Sequence, residues 1–286
     1  MMVKKLMRRV MGFCGIRAVH LGRYLLVMRV VGDVPEAGVE PDALERYMFE
    51  CSLGEVLRRL DVNCVLDVGA NKGQYGVMLR SLGYTGYIVS FEPTADAFKA
   101  LQEVASRDPK WTVHQWALGA QPATAPMHVM RSTEFSSLLD PTPFTVQRFQ
   151  AGAPVDHDEQ VKVRRLDQIL PAVIRHVRDP RLFLKIDTQG YDLEVVNGAG
   201  RAIERMRGLQ SEIAVVPLYQ RAPDMSESLA AYRARGFELS GLFPVVYDPD
   251  ADRVLEYDCV MVRPAELARP PHGGRFTPPG GNGLLT

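Results

Sequence analysis

The sequence predicts an α/β fold in which a mostly parallel sheet carries helices on both faces. Short β-rich runs alternate with helical patterns between residues 61 and 263, and this alternation is typical of parallel strands joined by crossover helices. Near the end of that stretch, two β-rich runs flank Asp248-Pro249-Asp250 and leave no room for a crossover helix. These two runs are therefore predicted to form an antiparallel hairpin at the sheet edge.

The individual elements follow from the spacing of apolar residues. Buried strands are predicted over 65–68, 87–91, 111–118, 182–186 and 209–213. Helical spacing follows the first strand as far as Gly83, begins again near Thr94 after the second, and returns over 193–206 after the fourth. The edge hairpin is predicted to join 237–243 to 255–262.

A segment of about sixty residues separates the third strand from the fourth, which is too long for a simple crossover. Within it, 127–130 and 161–165 are predicted to be added strands, and 133–158 is predicted to be a loop. Because long loops in compact domains are commonly functional, we expect this segment to cover the substrate.

Two regions flank the domain predicted over 61–263. Residues 1–60 are predicted to be a basic, amphipathic and helical extension, since 3–11 place apolar and basic side chains on opposite sides of a helix and 41–60 carry two apolar stripes. Residues 264–286 are dominated by Pro and Gly. Such a composition cannot build a core, so this tail is predicted to be disordered.

Charge and composition limit the classes of function. The chain has 34 basic and 34 acidic side chains and a formal net charge of zero, which argues against a general nucleic-acid binder. Basic residues nevertheless precede the first acid, Asp33. Residues 3–30 are therefore either a peripheral contact with an anionic membrane surface or a loosely docked segment whose charges are solvated.

Localisation is expected to be cytoplasmic, with any membrane contact peripheral at the inner surface. No apolar run reaches the roughly 18–20 residues of a membrane span, and no secretory apolar region is formed. The four cysteines are widely separated and form no CxxC pair, which fits reduced thiols better than a disulfide framework.

The chemistry is expected at the strand ends. The first strand runs into DVGANKG at 67–73, where glycines let the backbone approach a ligand and a helix start offers N–H groups. This turn has neither the P-loop pattern nor GxGxxG. Asp67, two positions before the first glycine, suits a ligand with an ammonium group, because a carboxylate repels a pyrophosphate. A plain tight turn without a ligand is the alternative.

A second acid, Glu92, follows the second strand. At that point of an open α/β sheet, a carboxylate can accept hydrogen bonds from both ribose hydroxyls of an adenosine. An ammonium partner at Asp67 and a ribose partner at Glu92 together describe S-adenosylmethionine.

Several separated motifs resemble, in the same order, those of the FkbM family of S-adenosylmethionine-dependent methyltransferases, over roughly residues 61–263. They are VLDVGANKGQYG, SFEP, WALG, the pair Ser136-Ser137, LKIDTQGYDLEVVNGA and YDCVMVRP. The resemblance implies a class I methyltransferase (Rossmann-like) fold with a seven-stranded sheet whose last strand is antiparallel. It also implies methylation of hydroxyls on sugars, polyketides and other natural products.

Site residues are carried over from this resemblance position by position. Those implied at the cofactor are Asp67, Gly69, Ala70, Asn71 and Gly73 in the methionine-binding turn, Glu92 at the ribose, Ala117 and Leu118 beside the adenine, and Ser136 and Ser137, which either lie near the cofactor or cap a turn. The fourth-strand motif places Asp187 in the site, and Glu212 matches an acid on the fifth strand. Many members have His two residues after that acid, where this chain has Ala214.

An alcohol acceptor must lose a proton as it is methylated. Asp187 is the first candidate for the base and Glu212 the second, and either could instead hold Mg²⁺ to acidify the hydroxyl. The structural alternatives are that Asp187 pairs with Lys185 or caps the following helix, and that Glu212 fixes the Gln189 loop.

The sequence thus predicts an S-adenosylmethionine-dependent O-methyltransferase acting on a small-molecule or glycan acceptor, namely a sugar, glycolipid or secondary metabolite. An N-methyltransferase of the same fold and a non-catalytic cofactor-binding or partner-binding module are the two alternatives.

Overall fold

The computed structural model describes residues 16–21, 24–29, 41–152, 154–248, 250–251 and 253–267. The chain divides into two compact units, with a boundary after Arg46. In the N-terminal unit, β1 (Ile16–Leu21) and β2 (Tyr24–Arg29) form an antiparallel hairpin, so the predicted helical character of 1–60 is wrong for these residues. Two apolar runs separated only by Gly22-Arg23 carry a hairpin signal that outweighs the scattered arginines. The helix predicted over 3–11 lies outside the described residues.

The second unit begins at Tyr47, earlier than the predicted boundary at residue 61. The reason is α1 (Pro41–Arg59), which matches the helix predicted over 41–60. Its buried residues Leu53, Val56 and Leu57 belong to the same core as one face of the main sheet. The later part of this helix is therefore part of the domain and not of a separate extension.

The main sheet has seven strands in the order β5-β4-β3-β9-β10-β12-β11. Its strands are β3 (Cys64–Val68), β4 (Tyr87–Phe91), β5 (Trp111–His114), β9 (Leu182–Ile186), β10 (Met206–Ala214), β11 (Glu238–Asp248) and β12 (Arg253–Val262). The last strand, β12, runs antiparallel to both of its neighbours, and the other pairs are parallel. The predicted seven-stranded sheet with an antiparallel edge hairpin is confirmed.

Helices cover both faces of this sheet, as predicted. Successive side chains of a strand point to opposite faces: on β3, Leu66 and Val68 belong to one core and Val65 to the other. The first core includes residues of α5 (Leu166–Val173), α6 (Asp192–Ala199) and α7 (Met225–Ala234), and the second those of α1, α2 (Gln74–Ser81) and α3 (Ala95–Ala105). A short α8 (Pro264–Leu267) occupies the start of the predicted tail, whose remainder lies outside the described residues.

The segment after β5 forms a second sheet of three strands, in the order β6-β8-β7. They are β6 (Ala117–Leu118), β7 (Ala123–Met130) and β8 (Val155–Arg164), and α4 (Pro143–Arg148) lies between the last two. The single strand predicted over 111–118 is thus two strands in different sheets. The loop predicted over 133–158 is also wrong in part, because α4 and the start of β8 lie within it. The start of β8 escaped prediction because it is exposed and acidic and lacks the alternation that marks a half-buried strand.

None of the helices in the described part of the chain has the length and apolar character that a membrane span requires.

Candidate active site

A tight turn joins β3 to α2 at the carboxyl edge of the sheet. The N–H groups of Gly69 and Ala70 donate to the Phe91 carbonyl at 3.0 and 3.1 Å. Gly69 has φ +75°, and a Cβ atom there would lie 1.8 Å from the carbonyl oxygen of Asp187. Asn71 also has a left-handed backbone, with φ 45°. Only glycine at position 69 therefore lets the end of β9 approach the turn this closely.

Asp67 lies under this turn and is 0% exposed. The Ser90 hydroxyl donates to its Oδ2 at 2.9 Å, and Lys185 Nζ lies 3.2 Å from its Oδ1. Lys185 Nζ also donates to the Gly69 carbonyl at 2.9 Å. Burial lowers the pKa of Lys185, but the charges of Asp67 and Asp187 outweigh burial and raise it.

Asp67 supports the turn through the ammonium group of Lys185, which pairs with its carboxylate and donates to the Gly69 carbonyl. Its Oδ1 makes this ion pair but no hydrogen bond within the described residues. The contact between Asp67 and a ligand ammonium group stays a prediction.

Glu92 lies beside the glycine turn, where the ribose partner was predicted. The N–H of Asn71 donates to its Oε2 at 2.9 Å, and Thr94 donates to its Oε1 from the backbone at 2.9 Å and from the hydroxyl at 2.6 Å. Burial raises the pKa of Glu92, and these hydrogen bonds oppose that shift. Each carboxylate oxygen has more than one lone pair, so the group can still accept from a ligand.

The next two candidates, Asp187 and Glu212, are brought together by Gln189, so the predicted structural role of Glu212 at the Gln189 loop is confirmed. Gln189 Nε2 donates to Asp187 Oδ1 and to Glu212 Oε2, both at 2.9 Å. Gln189 Oε1 accepts from the Tyr219 hydroxyl at 2.9 Å. The side chain of Asp187 is 40% exposed, so a carboxylate held in place still faces solvent. Gln189 has a φ of 54°, and this left-handed conformation strains the backbone of a non-glycine residue in the loop.

Two further acids, Glu256 and Asp258, complete this edge of the site. Asp258 lies directly opposite Glu212 in the pairing of β12 with β10. Burial, then Glu256 and Asp187, raise the pKa of Glu212 well above its ordinary value. Burial is also the main cause that raises the pKa of Glu256 to about 8 and of Asp258 to about 6. Both acids alternate with apolar residues on a predicted strand, which was the available signal.

Metal binding is not supported. Among the described residues, no group of three or more His, Cys, Asp or Glu side chains is arranged to hold a metal ion. The Gln189 amide lies between Asp187 and Glu212, so their carboxylates do not converge on a shared cation.

The long segment between the third and fourth predicted strands reaches the site at two points. The Thr133 hydroxyl donates to Asn71 Oδ1 at 3.1 Å, and the Ser137 hydroxyl donates to the Gln189 carbonyl at 2.8 Å. Ser136 accepts from the N–H of Met130 at 3.1 Å and so stabilises a local turn. Of the predicted serine pair, Ser137 therefore contacts the site loop and Ser136 does not.

Ala117 and Leu118 pair with Val163 and Arg164 in the second sheet. Leu118 is buried in the main core, and Ala117 is buried in a smaller cluster. Both side chains therefore pack in cores, and their contact with the adenine stays a prediction.

A pocket of about 1030 Å³ lies between the long segment and the tip of the edge hairpin. Three aromatic rings line it, those of Phe135, Phe144 and Phe149, together with Arg148 and Asp248. Arg148 Nε lies 3.0 Å from Asp248 Oδ1, which links α4 to β11. The Tyr219 hydroxyl lies 2.8 Å from the Phe135 carbonyl and 2.9 Å from Gln189 Oε1, and its one proton is shared between these two acceptors, so this pocket adjoins the Asp187 network.

The strand order, the glycine turn after β3 and the acid after β4 define a class I S-adenosylmethionine-dependent methyltransferase. The methyltransferase FkbM domain matches residues 67–239, more than half of the 286 residues. The chain belongs to this family, which confirms the resemblance seen in its motifs.

Solved structures of methyltransferases are similar to the chain. Magnesium protoporphyrin IX methyltransferase (ChlM) from Synechocystis PCC 6803 with bound SAM is 13% identical, with a TM-score of 0.43, over 81% of this chain and 86% of that one. An rRNA methylase from Streptococcus thermophilus is 13% identical, with a TM-score of 0.39, over 77% and 96%. No curated protein matches the chain.

Proposed function

We propose that the chain is an S-adenosylmethionine-dependent O-methyltransferase that methylates a hydroxyl of a sugar, glycolipid or secondary metabolite. The observation that carries this proposal is the Asp187 carboxylate. Gln189 holds one of its oxygens at 2.9 Å, Lys185 Nζ lies 3.6 Å from the other, and the side chain is 40% exposed at the carboxyl edge of the sheet. An oriented and accessible carboxylate suits a general base for an alcohol.

The residues at the glycine turn fit the cofactor. Residues 69–73 and Glu92 would hold it, and the bound cofactor supplies an electrophilic methyl group. Gly69 provides a backbone surface without a Cβ atom, and the surrounding acids suit a sulfonium cation, whereas they would repel a pyrophosphate. The Asp67–Lys185 ion pair beneath the turn maintains its shape.

The chain's own residues then divide the remaining work. Asp187 accepts the hydroxyl proton as the new carbon–oxygen bond forms, and the Gln189 amide keeps the accepting carboxylate in place. Burial and neighbouring charges favour the neutral form of Glu212 by raising its pKa. Glu212 is therefore a weaker candidate for the base, and its part is to anchor the second N–H of the Gln189 amide.

Calorimetric titration with S-adenosylhomocysteine tests the cofactor site. Glu92→Gln should lower the affinity about tenfold, since a charged hydrogen-bond acceptor is lost. Glu103→Gln, at an exposed position on α3, is the matched control and should bind normally. An unmodified chain that fails to bind S-adenosylhomocysteine would refute the proposal.

Turnover tests the base. Release of S-adenosylhomocysteine is measured across a set of sugars and glycolipids, and Asp187→Asn is then compared on the best acceptor. Loss of the base should lower the rate about a hundredfold or more, with cofactor affinity retained. Asp179→Asn, whose side chain is 90% exposed, is the control. Normal turnover by Asp187→Asn would remove Asp187 as the base.

A further inference from the structure

The aromatic pocket beside the long segment has a size and a lining typical of a small-molecule site. Its volume is about 1030 Å³, and such sites commonly measure roughly 300–1,000 Å³ and combine apolar or aromatic walls with a few polar groups. Phe135, Phe144 and Phe149 line it, and all three are half-buried. The pocket is therefore large enough for a ligand with more than one ring.

One short turn joins this pocket to the cofactor turn and to the Asp187 network. It is the 3₁₀ helix Thr133–Phe135. At its start, the Thr133 hydroxyl donates to Asn71 Oδ1 in the glycine turn at 3.1 Å. At its end, the Phe135 carbonyl lies 2.8 Å from the Tyr219 hydroxyl, which also contacts Gln189. The pocket thus lies beside both the methyl donor and the base, where the body of an acceptor is needed.

The charged groups that line the pocket pair with one another. Arg148 Nε lies 3.0 Å from Asp248 Oδ1, and Arg148 Nη2 lies 3.6 Å from Asp250 Oδ2. A charged ligand would have to compete with these pairs, and each group that lost its partner would carry the cost of an unpaired charge. A neutral ligand leaves the pairs intact, so the pocket favours a neutral occupant.

The phenylalanine rings favour an aromatic occupant over an aliphatic one. The ring centroids of Phe135 and Phe149 are 5.3 Å apart, and the ring planes are tilted by 38°. Aromatic rings at such distances attract one another beyond the effect of burial alone, by an amount worth about twofold to tenfold in affinity. An aromatic ligand gains this contribution from the pocket, whereas a saturated ring of the same skeleton gains burial only.

Proton transfer to Asp187 also favours an aromatic alcohol. A phenol has an ordinary pKa of about 10, as the tyrosine side chain does, whereas an alkyl alcohol resembles water, with a pKa of roughly 16. A carboxylate is a weak base, so it takes the proton of a phenol far more readily. The base and the pocket therefore point to the same class of acceptor.

We propose that the acceptor is a neutral phenol whose aromatic rings occupy this pocket while its hydroxyl lies at Asp187. This inference rests on the proposed function and specifies its substrate class, an aromatic secondary metabolite. The phenol oxygen forms a bond to the methyl carbon as the carbon–sulfur bond breaks. The electron pair of the broken bond stays on sulfur, and the phenol proton passes to Asp187.

The binding test compares para-phenylphenol with para-cyclohexylcyclohexanol, its fully hydrogenated counterpart. Each is titrated calorimetrically into the chain loaded with S-adenosylhomocysteine. The phenol should bind about threefold to tenfold more tightly. The double variant Phe144→Leu/Phe149→Leu keeps apolar side chains but removes two rings, so it should lose most of this preference. Phe49→Leu/Phe98→Leu is the matched control, since both rings pack in the second core, and it should keep the preference.

A second variant does not depend on repacking around the rings. Ala151 is exposed and lines the pocket, so Ala151→Trp should fill part of the space and weaken para-phenylphenol binding about tenfold. Ala230→Trp, at an exposed position on α7, is the control and should bind normally. Release of S-adenosylhomocysteine should be about a hundredfold faster with the phenol than with the saturated alcohol.

Four results would each overturn the inference. They are equal binding of the two alcohols or failure of both to bind, an unchanged preference in the double leucine variant, unchanged affinity in Ala151→Trp, and turnover of the phenol no faster than that of the saturated alcohol.

Titration with S-adenosylhomocysteine alone separates this failure from failure of the proposed function. If S-adenosylhomocysteine binds and a sugar or glycolipid is methylated in preference to the phenol, only the phenol inference fails. If S-adenosylhomocysteine does not bind, both fail.

Discussion

The contact between Gly69 and the end of β9 makes a quantitative prediction about stability. In Gly69→Ala, the new Cβ would lie 1.8 Å from the Asp187 carbonyl oxygen and 2.9 Å from its carbonyl carbon, both of which are backbone atoms. The left-handed conformation costs a non-glycine residue about 1–2 kcal/mol, and forced overpacking costs about 1–3 kcal/mol more. We therefore expect the free energy of unfolding to fall by about 2–5 kcal/mol.

Gly83 offers a matched control for the backbone part of this cost. It has φ +83°, close to the +75° of Gly69, but a Cβ atom there would meet nothing within 4 Å. Gly83→Ala should therefore cost only the conformational part, about 1–2 kcal/mol. The difference between the two variants measures the steric overlap with Asp187 alone.

Urea denaturation followed by circular dichroism gives both values, provided that the slope with denaturant is the same in the two variants. Gly69→Ala should also weaken turnover, because the carbonyl that it displaces belongs to the proposed base. Equal destabilisation of the two variants would refute the close approach of β9 to the turn. It would also refute the argument that glycine is required at position 69.

Three further outcomes are expected. Lys185→Met leaves Asp67 buried without its cation and should cost about 3–5 kcal/mol in urea denaturation; adding Asp67→Asn should recover part of this, and a cost below about 1 kcal/mol would contradict the ion pair. Because the pKa of Glu256 is raised to about 8, the folded chain binds a proton more tightly than the unfolded chain, so stability falls as pH rises from about 4 to 8. Glu256→Gln should therefore melt above the unmodified chain at pH 8.5 and close to it at pH 4; a constant difference would contradict the assignment. Tyr219→Phe loses the hydroxyl whose one proton is shared between Gln189 Oε1 and the Phe135 carbonyl, so turnover should fall several-fold while S-adenosylhomocysteine binds normally, and unchanged turnover would show that Gln189 does not need this anchor.

The sheet was predictable because its strands are short, apolar and bounded by turns. Two of them, Tyr87–Phe91 and Leu182–Ile186, match the predicted limits. The N-terminal hairpin and the start of β8 were missed for one shared reason. Both contain polar or charged side chains at positions where periodicity cannot distinguish an exposed strand from another element.

The site was predictable only where a residue follows directly from a strand end. Glu92 and Asp187 are such residues, and the structure places both at the carboxyl edge. The burial of Asp67 could not be predicted, because it depends on Lys185 arriving from a strand far along the chain. The role of Gln189 is also non-local, since it joins Asp187 at the end of β9 to Glu212 on β10.

The acids of β12 show why a neutral composition conceals a charged site. The Lys185 ammonium group is held by Asp67 and Asp187, and Glu212 and Asp258 lie directly opposite each other where the sheet order brings β10 and β12 side by side. Such a group raises its own pKa values and weakens the free protein.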